Sequence, residues 1–288
     1  MLRDIIKLFY HRYCPTKIFL KTYYYRVFHK KLDLRDPKTF NEKLQWLKIY
    51  DKKPIYTTLV DKYEVKKYVA NLIGDEYIIP TLGVWDHFDE INFDELPSQF
   101  VLKCTHDSGG IVIVNDKNTF DKQAARVKLE QSLRRNFYHV AREWPYKNVK
   151  PRIIAEEYMV DQDKAELPDY KLFTFNGKVK LIQYDYERFT NHKRKFYDEK
   201  WKFIDTVLTY PYEPSETKDC PDALEEMEKL AEILSRNITF LRTDFYCISG
   251  KVYFGELTLY PGGGFEKFQD DKFDEKLGSF LELPISVR

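Results

Sequence analysis

Arg242 and Asp244 stand two apart within residues 240–247, and Glu256 and Thr258 stand two apart within residues 251–259. Both runs are apolar or aromatic and Ser249-Gly250 separates them, which predicts a hairpin whose side chains two apart share a face. Two carboxylates then meet across a short turn. Like charges facing each other on a sheet repel, so Asp244 and Glu256 call for a cation. A magnesium ion with hard carboxylate ligands would serve, and so would Arg242 as a plain ion pair. Pro261-Gly262-Gly263-Gly264 follows directly and lets backbone approach a substrate closely. Lys103 offers a second chemistry. It ends an apolar run and precedes Thr105-His106-Asp107-Ser108-Gly109-Gly110, where an ammonium and the free amides of a turn can close on phosphate oxygens. A surface lysine beside an ordinary hairpin has the same local sequence, and the GxxxxGK[ST] order is absent. Glu156-Glu157-Tyr158-Met159 ends another apolar run, where backbone groups left over by a sheet would hydrogen-bond an adenine ring.

The elements that must position these residues are mixed. Thr39 and Glu42 suit a capping box ahead of a helix to Tyr50, and residues 61–71 form a second helix stopped by Gly74. A strand is expected at 77–80, a hairpin of 100–103 with 111–114, and one long helix over 120–139. Further strands fall at 153–159, 171–175, 179–184 and 195–197, with Asn176-Gly177 as a tight turn, and a helix at 222–234. Helices interrupt antiparallel hairpins instead of alternating with single strands, which predicts an α+β fold.

Composition narrows the function classes. The chain has 288 residues, 43 % hydrophobic and 32 % charged, enough for a real core. Its 47 basic and 46 acidic side chains leave a net charge of +1, so no global field draws it to nucleic acid. Cys14, Cys104, Cys220 and Cys247 are isolated, as reduced thiols in a cytoplasmic protein would be, and no run is long and apolar enough to span a bilayer. The histidines are scattered, and only His106 sits in a motif. Residues 1–35 differ: nine bases against two acids, interleaved with Phe9, Tyr10, Tyr13, Ile18, Phe19 and Tyr23 to Phe28. An amphipathic helix there would pack its aromatic face on the body or lie at the inner face of the membrane.

Several segments in a fixed order resemble the TupA-like branch of the ATP-grasp superfamily, named for teichuronopeptide biosynthesis. They are Thr39-Phe40-Asn41-Glu42-Lys43-Leu44-Gln45-Trp46-Leu47, Val60-Asp61-Lys62-Tyr63, Leu96-Pro97 with Phe100-Val101-Leu102-Lys103, Asp169-Tyr170-Lys171-Leu172-Phe173-Thr174-Phe175-Asn176-Gly177, Phe196-Tyr197-Asp198, Arg242-Thr243-Asp244-Phe245-Tyr246 and Tyr253-Phe254-Gly255-Glu256-Leu257-Thr258. The resemblance implies an ATP-grasp fold in which a helical arm (1–50) precedes a catalytic domain (51–288), with a lid at 100–155 and a metal, nucleotide and substrate unit at 156–288. It implies that Lys62 and Lys103 hold nucleotide phosphates, and that His106, Ser108, Gly109 and Gly110 form a mobile lid loop. Glu156, Glu157 and Met159 would present backbone groups and a carboxylate to adenine. Lys171, standing where related ligases have Asp-x-Arg, and Arg188 would face the phosphates or an acyl phosphate, and Arg242 the tetrahedral intermediate. Asp244 and Glu256 would hold Mg²⁺, joined by Thr258 where D-alanine:D-alanine ligases have Asn.

The implied activity is ADP-forming ligation of a carboxylate, such as a sugar acid of a surface polysaccharide precursor, to an amine such as an amino acid. Two other classes compete: a glycosyltransferase, which would use a nucleotide sugar, and a relative that binds ATP without forming an amide.

Overall fold

The structure is a computed structural model that describes residues 10–161, 167–188 and 190–284. Helix α1 (Thr16–Phe28) turns Phe19, Leu20, Tyr24 and Phe28 inward, where they cluster with Leu32. Arg142, 1 % exposed, fastens the turn before it: the guanidinium donates to the carbonyls of His11 at 2.5 Å and Cys14 at 2.9 Å and lies 4.5 Å from the centre of the Phe19 ring. The inner aromatic face of the arm is thus packed on the body, while residues 1–9 lie outside the described residues.

Thr39 caps α2 (Phe40–Tyr50): its hydroxyl accepts from the Glu42 amide at 3.2 Å, and the Glu42 carboxylate accepts from the Thr39 amide at 3.1 Å. Helices α3 (Ile55–Val60) and α4 (Glu64–Ile73) follow. A four-stranded antiparallel sheet comes next, made of β1 (Thr81–Trp85), β2 (Phe100–Cys104), β3 (Ile111–Val114) and β4 (Ile153–Glu157) in the order β1-β4-β2-β3. Helix α5 (Lys122–Leu133) gives it Ala125 and Leu129, which pack with Phe100, Leu102 and Cys104 in a core separate from that of the second sheet. A short α6 (Tyr138–Ala141) leads back to β4.

The second sheet has β5 (Asp169–Phe175), β6 (Lys178–Tyr186), β7 (Lys193–Tyr197), β8 (Phe203–Ile204), β9 (Phe240–Ile248) and β10 (Lys251–Thr258), antiparallel in the order β10-β9-β5-β6-β7-β8. Both predicted tight turns form, with positive φ at Asn176 (48°), Gly177 (82°), Ser249 (48°) and Gly250 (81°), the pattern that matches strand twist. Helices α2, α7 (Leu224–Leu234) and α8 (Asp271–Phe280) bring Phe40, Leu44, Met227, Leu230 and Leu277 to the core that buries Leu172, Leu241 and Phe245. The α+β class follows from these antiparallel sheets and their covering helices.

Two expectations need correction. The helix expected over 120–139 is two helices, because the Asn136 side chain accepts from the Tyr138 amide at 3.1 Å and donates to the Lys147 carbonyl at 3.0 Å, restarting the chain locally. The strand expected at 77–80 lies instead at Thr81–Trp85: Ile78 makes a single bridge to Phe254, Pro80 lacks an amide hydrogen, and Lys66 takes the Ile79 carbonyl at 2.8 Å.

Candidate active site

Alternation along β2 sends Phe100, Leu102 and Cys104 to the core, and Val101 and Lys103 the other way. With Ile111 and Ile113 of β3 they form one wall of a cavity of about 390 Å³ between the two sheets, a volume usual for a small-ligand site. The Lys103 ammonium lies 2.5 Å from one oxygen of Glu156, and that of Lys66 lies 2.5 Å from the other. Burial raises the pKa of the Glu156 carboxyl, but the two lysines outweigh it and hold the group below its usual range. Lys66 also donates to the Thr81 hydroxyl at 2.8 Å. Lys62, at the corner between α3 and α4, donates to the Asp107 carbonyl and lines the same cavity.

The Gly-containing turn is fastened to α5. The His106 ring is 2 % exposed with Nε2 3.0 Å from the Ser132 carbonyl, and the Asp107 carboxylate accepts from the Gly110 amide at 3.0 Å and from the Ser132 hydroxyl. A side chain at Gly110 would meet Ser132 Oγ at 2.6 Å, so this close approach requires glycine. Ser108 lines the cavity; His106, Gly109 and Gly110 shape the turn from behind. Glu157 at the end of β4 also lines the cavity, and Tyr158, Met159 and Val160 continue the lining together with Ile79 and Leu167, supplying its apolar part. Glu156 does not turn toward that part, since both its oxygens are committed to lysines.

The opposite wall is a row of paired charges across three strands. Lys171 faces Asp244 between β5 and β9, and Asp244 faces Glu256 between β9 and β10. The last pairing depends on a bulge between Phe254 and Glu256: the register set at the turn would otherwise put Gly255 opposite Asp244 and swing Glu256 to the core face. Arg242 holds both acids, with Nε 2.6 Å from Asp244 Oδ1 and a terminal nitrogen 2.9 Å from Glu256 Oε1. Lys171 Nζ lies 2.6 Å from Asp244 Oδ2 and also pairs with Asp169, which Arg188 reaches at 3.0 Å. The Thr258 hydroxyl is 3.2 Å from Glu256 Oε1. Burial raises the Asp244 carboxyl above its usual pKa despite Arg242 and Lys171, whereas at Glu256 the same cations, joined by Lys62, overcome burial and bring the carboxyl to about 2.

Lys62, Lys103, Ser108, Glu156, Glu157, Met159, Lys171, Arg188, Asp244 and Glu256 therefore share one cavity, with Arg242 and Thr258 directly behind Glu256. Sequence reasoning missed Asp169 and Lys66 as site residues. The first stands two before Lys171 on its strand, and the second four residues after Lys62, in the first turn of α4.

Two antiparallel sheets closing on a cavity with lysines on both walls and an acid pair at one edge define the ATP-grasp class. The chain belongs to the TupA-like ATPgrasp family, whose model matches residues 42–282. No curated protein matches the chain. Among solved structures it is similar to the D-alanine–D-alanine ligase from Bacillus anthracis complexed with ATP (16 % identity, 70 % of this chain, TM-score 0.41), of which it spans 54 %. It is also similar to the D-alanine–D-alanine ligase from Helicobacter pylori (17 %, 84 % of this chain and 69 % of that one, TM-score 0.43). A third is a RimK domain ATP-grasp protein from Sphaerobacter thermophilus (11 %, 81 % and 70 %, TM-score 0.43).

The residues present fit a magnesium ion of the kind that takes one or two carboxylates and completes its shell with phosphate oxygens and water. Asp244, Glu256 and Thr258 carry oxygen donors on one strand pair; both Asp244 oxygens are paired with Arg242 and Lys171 and would have to be shared with the ion, whereas the Glu256 carboxylate is partly exposed to the cavity and Asp169 Oδ1 beside them is buried without a hydrogen bond. Among the described residues no cluster of three or more His, Cys, Asp or Glu side chains forms an all-protein cage.

Proposed function

We propose that the protein is an ADP-forming carboxylate–amine ligase of bacterial cell-surface polysaccharide biosynthesis, joining an amino acid to the carboxylate of a sugar acid. The observation that supports this reading is the two-sided placement of cations, Lys62 and Lys103 on one wall and Lys171 and Arg188 on the other, around a cavity edged by Asp244 and Glu256. Phosphoryl transfer depends chiefly on positioning and on charges placed where negative charge develops, and this inventory supplies both. The acid's carboxylate oxygen attacks the γ-phosphorus, the bond to the β-phosphate oxygen breaks, and ADP leaves. The amine nitrogen then attacks the acyl carbon of the acyl phosphate and expels inorganic phosphate. Lys62 and Lys103 hold phosphate oxygens, Lys171 and Arg188 face the transferred group, and Arg242 orients Asp244 and Glu256. Asp244, Glu256 and Thr258 would hold a magnesium ion, which would supply neutralisation of phosphate charge. No side chain of the protein has to act as nucleophile. The polysaccharide assignment rests on the family, not on the geometry.

Isothermal calorimetry of Mg·ATP on the native chain and on Glu256→Gln, followed by screening of uronic acids with amino acids, tests this reading. Binding at least tenfold weaker in the variant, with ADP released only when acid and amine are both present, is the expected result. Nucleoside diphosphate released from a nucleotide sugar without ATP turnover would make the protein a glycosyltransferase. Mg·ATP binding with no ADP from any acid–amine pair would leave a nucleotide-binding relative.

A further inference from the structure

Between residues 10 and 32 the chain carries six Lys and Arg side chains and no Asp or Glu. Helix α1 divides this stretch. Its inner residues are buried, whereas Lys17, Ile18, Lys21 and Tyr25 recur at spacings that place them on one outer face. Ile18 and Tyr25 are each 56 % exposed, and Tyr13, just before the helix, is 61 % exposed. Tyr50 of α2 extends the patch: it is 43 % exposed, and the Lys17 ammonium lies 5.1 Å from its ring centre. Single exposed apolar side chains are ordinary, but here Ile18, Tyr25 and Tyr50 share one surface with Lys17 and Lys21, and residues 10–32 hold no acid.

From this combination we infer that the outer face of α1 docks the protein on an anionic bilayer surface. Ile18 enters the boundary between headgroups and acyl chains, the tyrosines sit at headgroup level with their hydroxyls hydrated, and the lysine stems lie along the apolar boundary with their ammonium groups among anionic headgroups. The net charge of the whole chain supplies no such attraction, so the contact is local to this face. The inner side of the same helix rests on the site's own scaffold: the Tyr23 ring meets that of Phe265 edge to face at 4.4 Å, immediately after the turn Pro261–Gly264 that follows β10. A docked helix would therefore hold the site beside acceptors carried in the membrane.

The full chain is sedimented with phosphatidylcholine vesicles, with and without phosphatidylglycerol, alongside a Lys17→Gln, Lys21→Gln variant and an Ile18→Ser, Tyr25→Ser variant. All four positions are exposed and lie outside the cavity, so Mg·ATP binding serves as the check on folding. The native chain is expected to sediment with the anionic vesicles in a salt-sensitive manner. The lysine variant should bind about 30-fold more weakly, the combined effect of two interfacial lysines, and the apolar variant should be released at lower salt. Absence of binding to anionic vesicles, equal binding to neutral ones, or an unchanged lysine variant overturns the inference. So does a tighter hold on single-stranded RNA that the lysine variant loses.

Discussion

Lys66 and Lys103 approach one carboxylate from opposite sides, each ammonium 2.5 Å from a different oxygen of Glu156. One lysine comes from α4 and the other from β2, so a single buried acid joins the helical shoulder of the body to the small sheet. Three formal charges leave one positive charge in surplus, shared by the trio, of which Lys103 and Glu156 line the cavity.

Removing the acid's charge should expose this dependence. Glu156→Gln leaves two ammonium groups close together and nearly buried, and breaking such an arrangement costs about 3–5 kcal/mol. Urea denaturation should show a loss of that size. Adding Lys66→Met to Glu156→Gln should restore part of it, because one of the two uncompensated cations is then gone.

Gly255 tests the bulge. An added methyl group would stand 3.0 Å from the Asp244 carbonyl oxygen and 3.3 Å from Tyr246 Cε2, so β10 must shift away from β9 at the residue that aims Glu256. Gly255→Ala should lower stability by about 1–3 kcal/mol and weaken Mg·ATP binding about tenfold or more, read by denaturation and calorimetry on the same preparation. Loss of stability with unchanged affinity would mean that the position of Glu256 does not depend on the bulge.

Asp274 gives a pH dependence with a definite sign. It is buried on α8, where one oxygen accepts from the Asn41 amide at 3.1 Å and from its side-chain nitrogen at 3.0 Å; burial prevails over these bonds and raises the carboxyl from 3.8 to about 6. The folded protein therefore holds a proton that the unfolded chain releases. Asp274's contribution is intact below 3.8 and declines as pH rises to about 6, by about 3 kcal/mol in all. Asn at this position keeps an acceptor for Asn41 without the ionisation. Asp274→Asn should match the native protein near the acid end of this window and exceed it increasingly toward the neutral end, as followed by urea midpoints across the range.

Local signals made much of the fold legible. Asn176-Gly177, Ser249-Gly250 and the Thr39–Glu42 box each act within a few residues and formed as the sequence predicts. The facing of Asp244 and Glu256 was read from strand periodicity, yet it is realised through an irregularity that periodicity does not contain: only the glycine at 255 hints at it. Nothing local in the sequence marks Lys66, because its partner lies on β4, brought near by the fold alone. His106 stood in a promising Gly-rich turn, but its ring is drawn to a carbonyl near the end of α5, a contact between distant segments. Arg242 was weighed as an ion-pair partner and as a group facing an intermediate, and the pairing with both acids is what the geometry displays.

Among the described residues the two sheets keep separate hydrophobic cores, so no continuous apolar seam locks one to the other. Lys62 and Lys103 on one side and Lys171 and Arg188 on the other border a common gap, and a polyanion between them is the mortar that such a joint lacks. On the proposed chemistry the count of phosphates between the walls is unchanged until ADP and phosphate depart, and their departure would remove the bridging charge all at once, leaving the two walls to face each other as like charges.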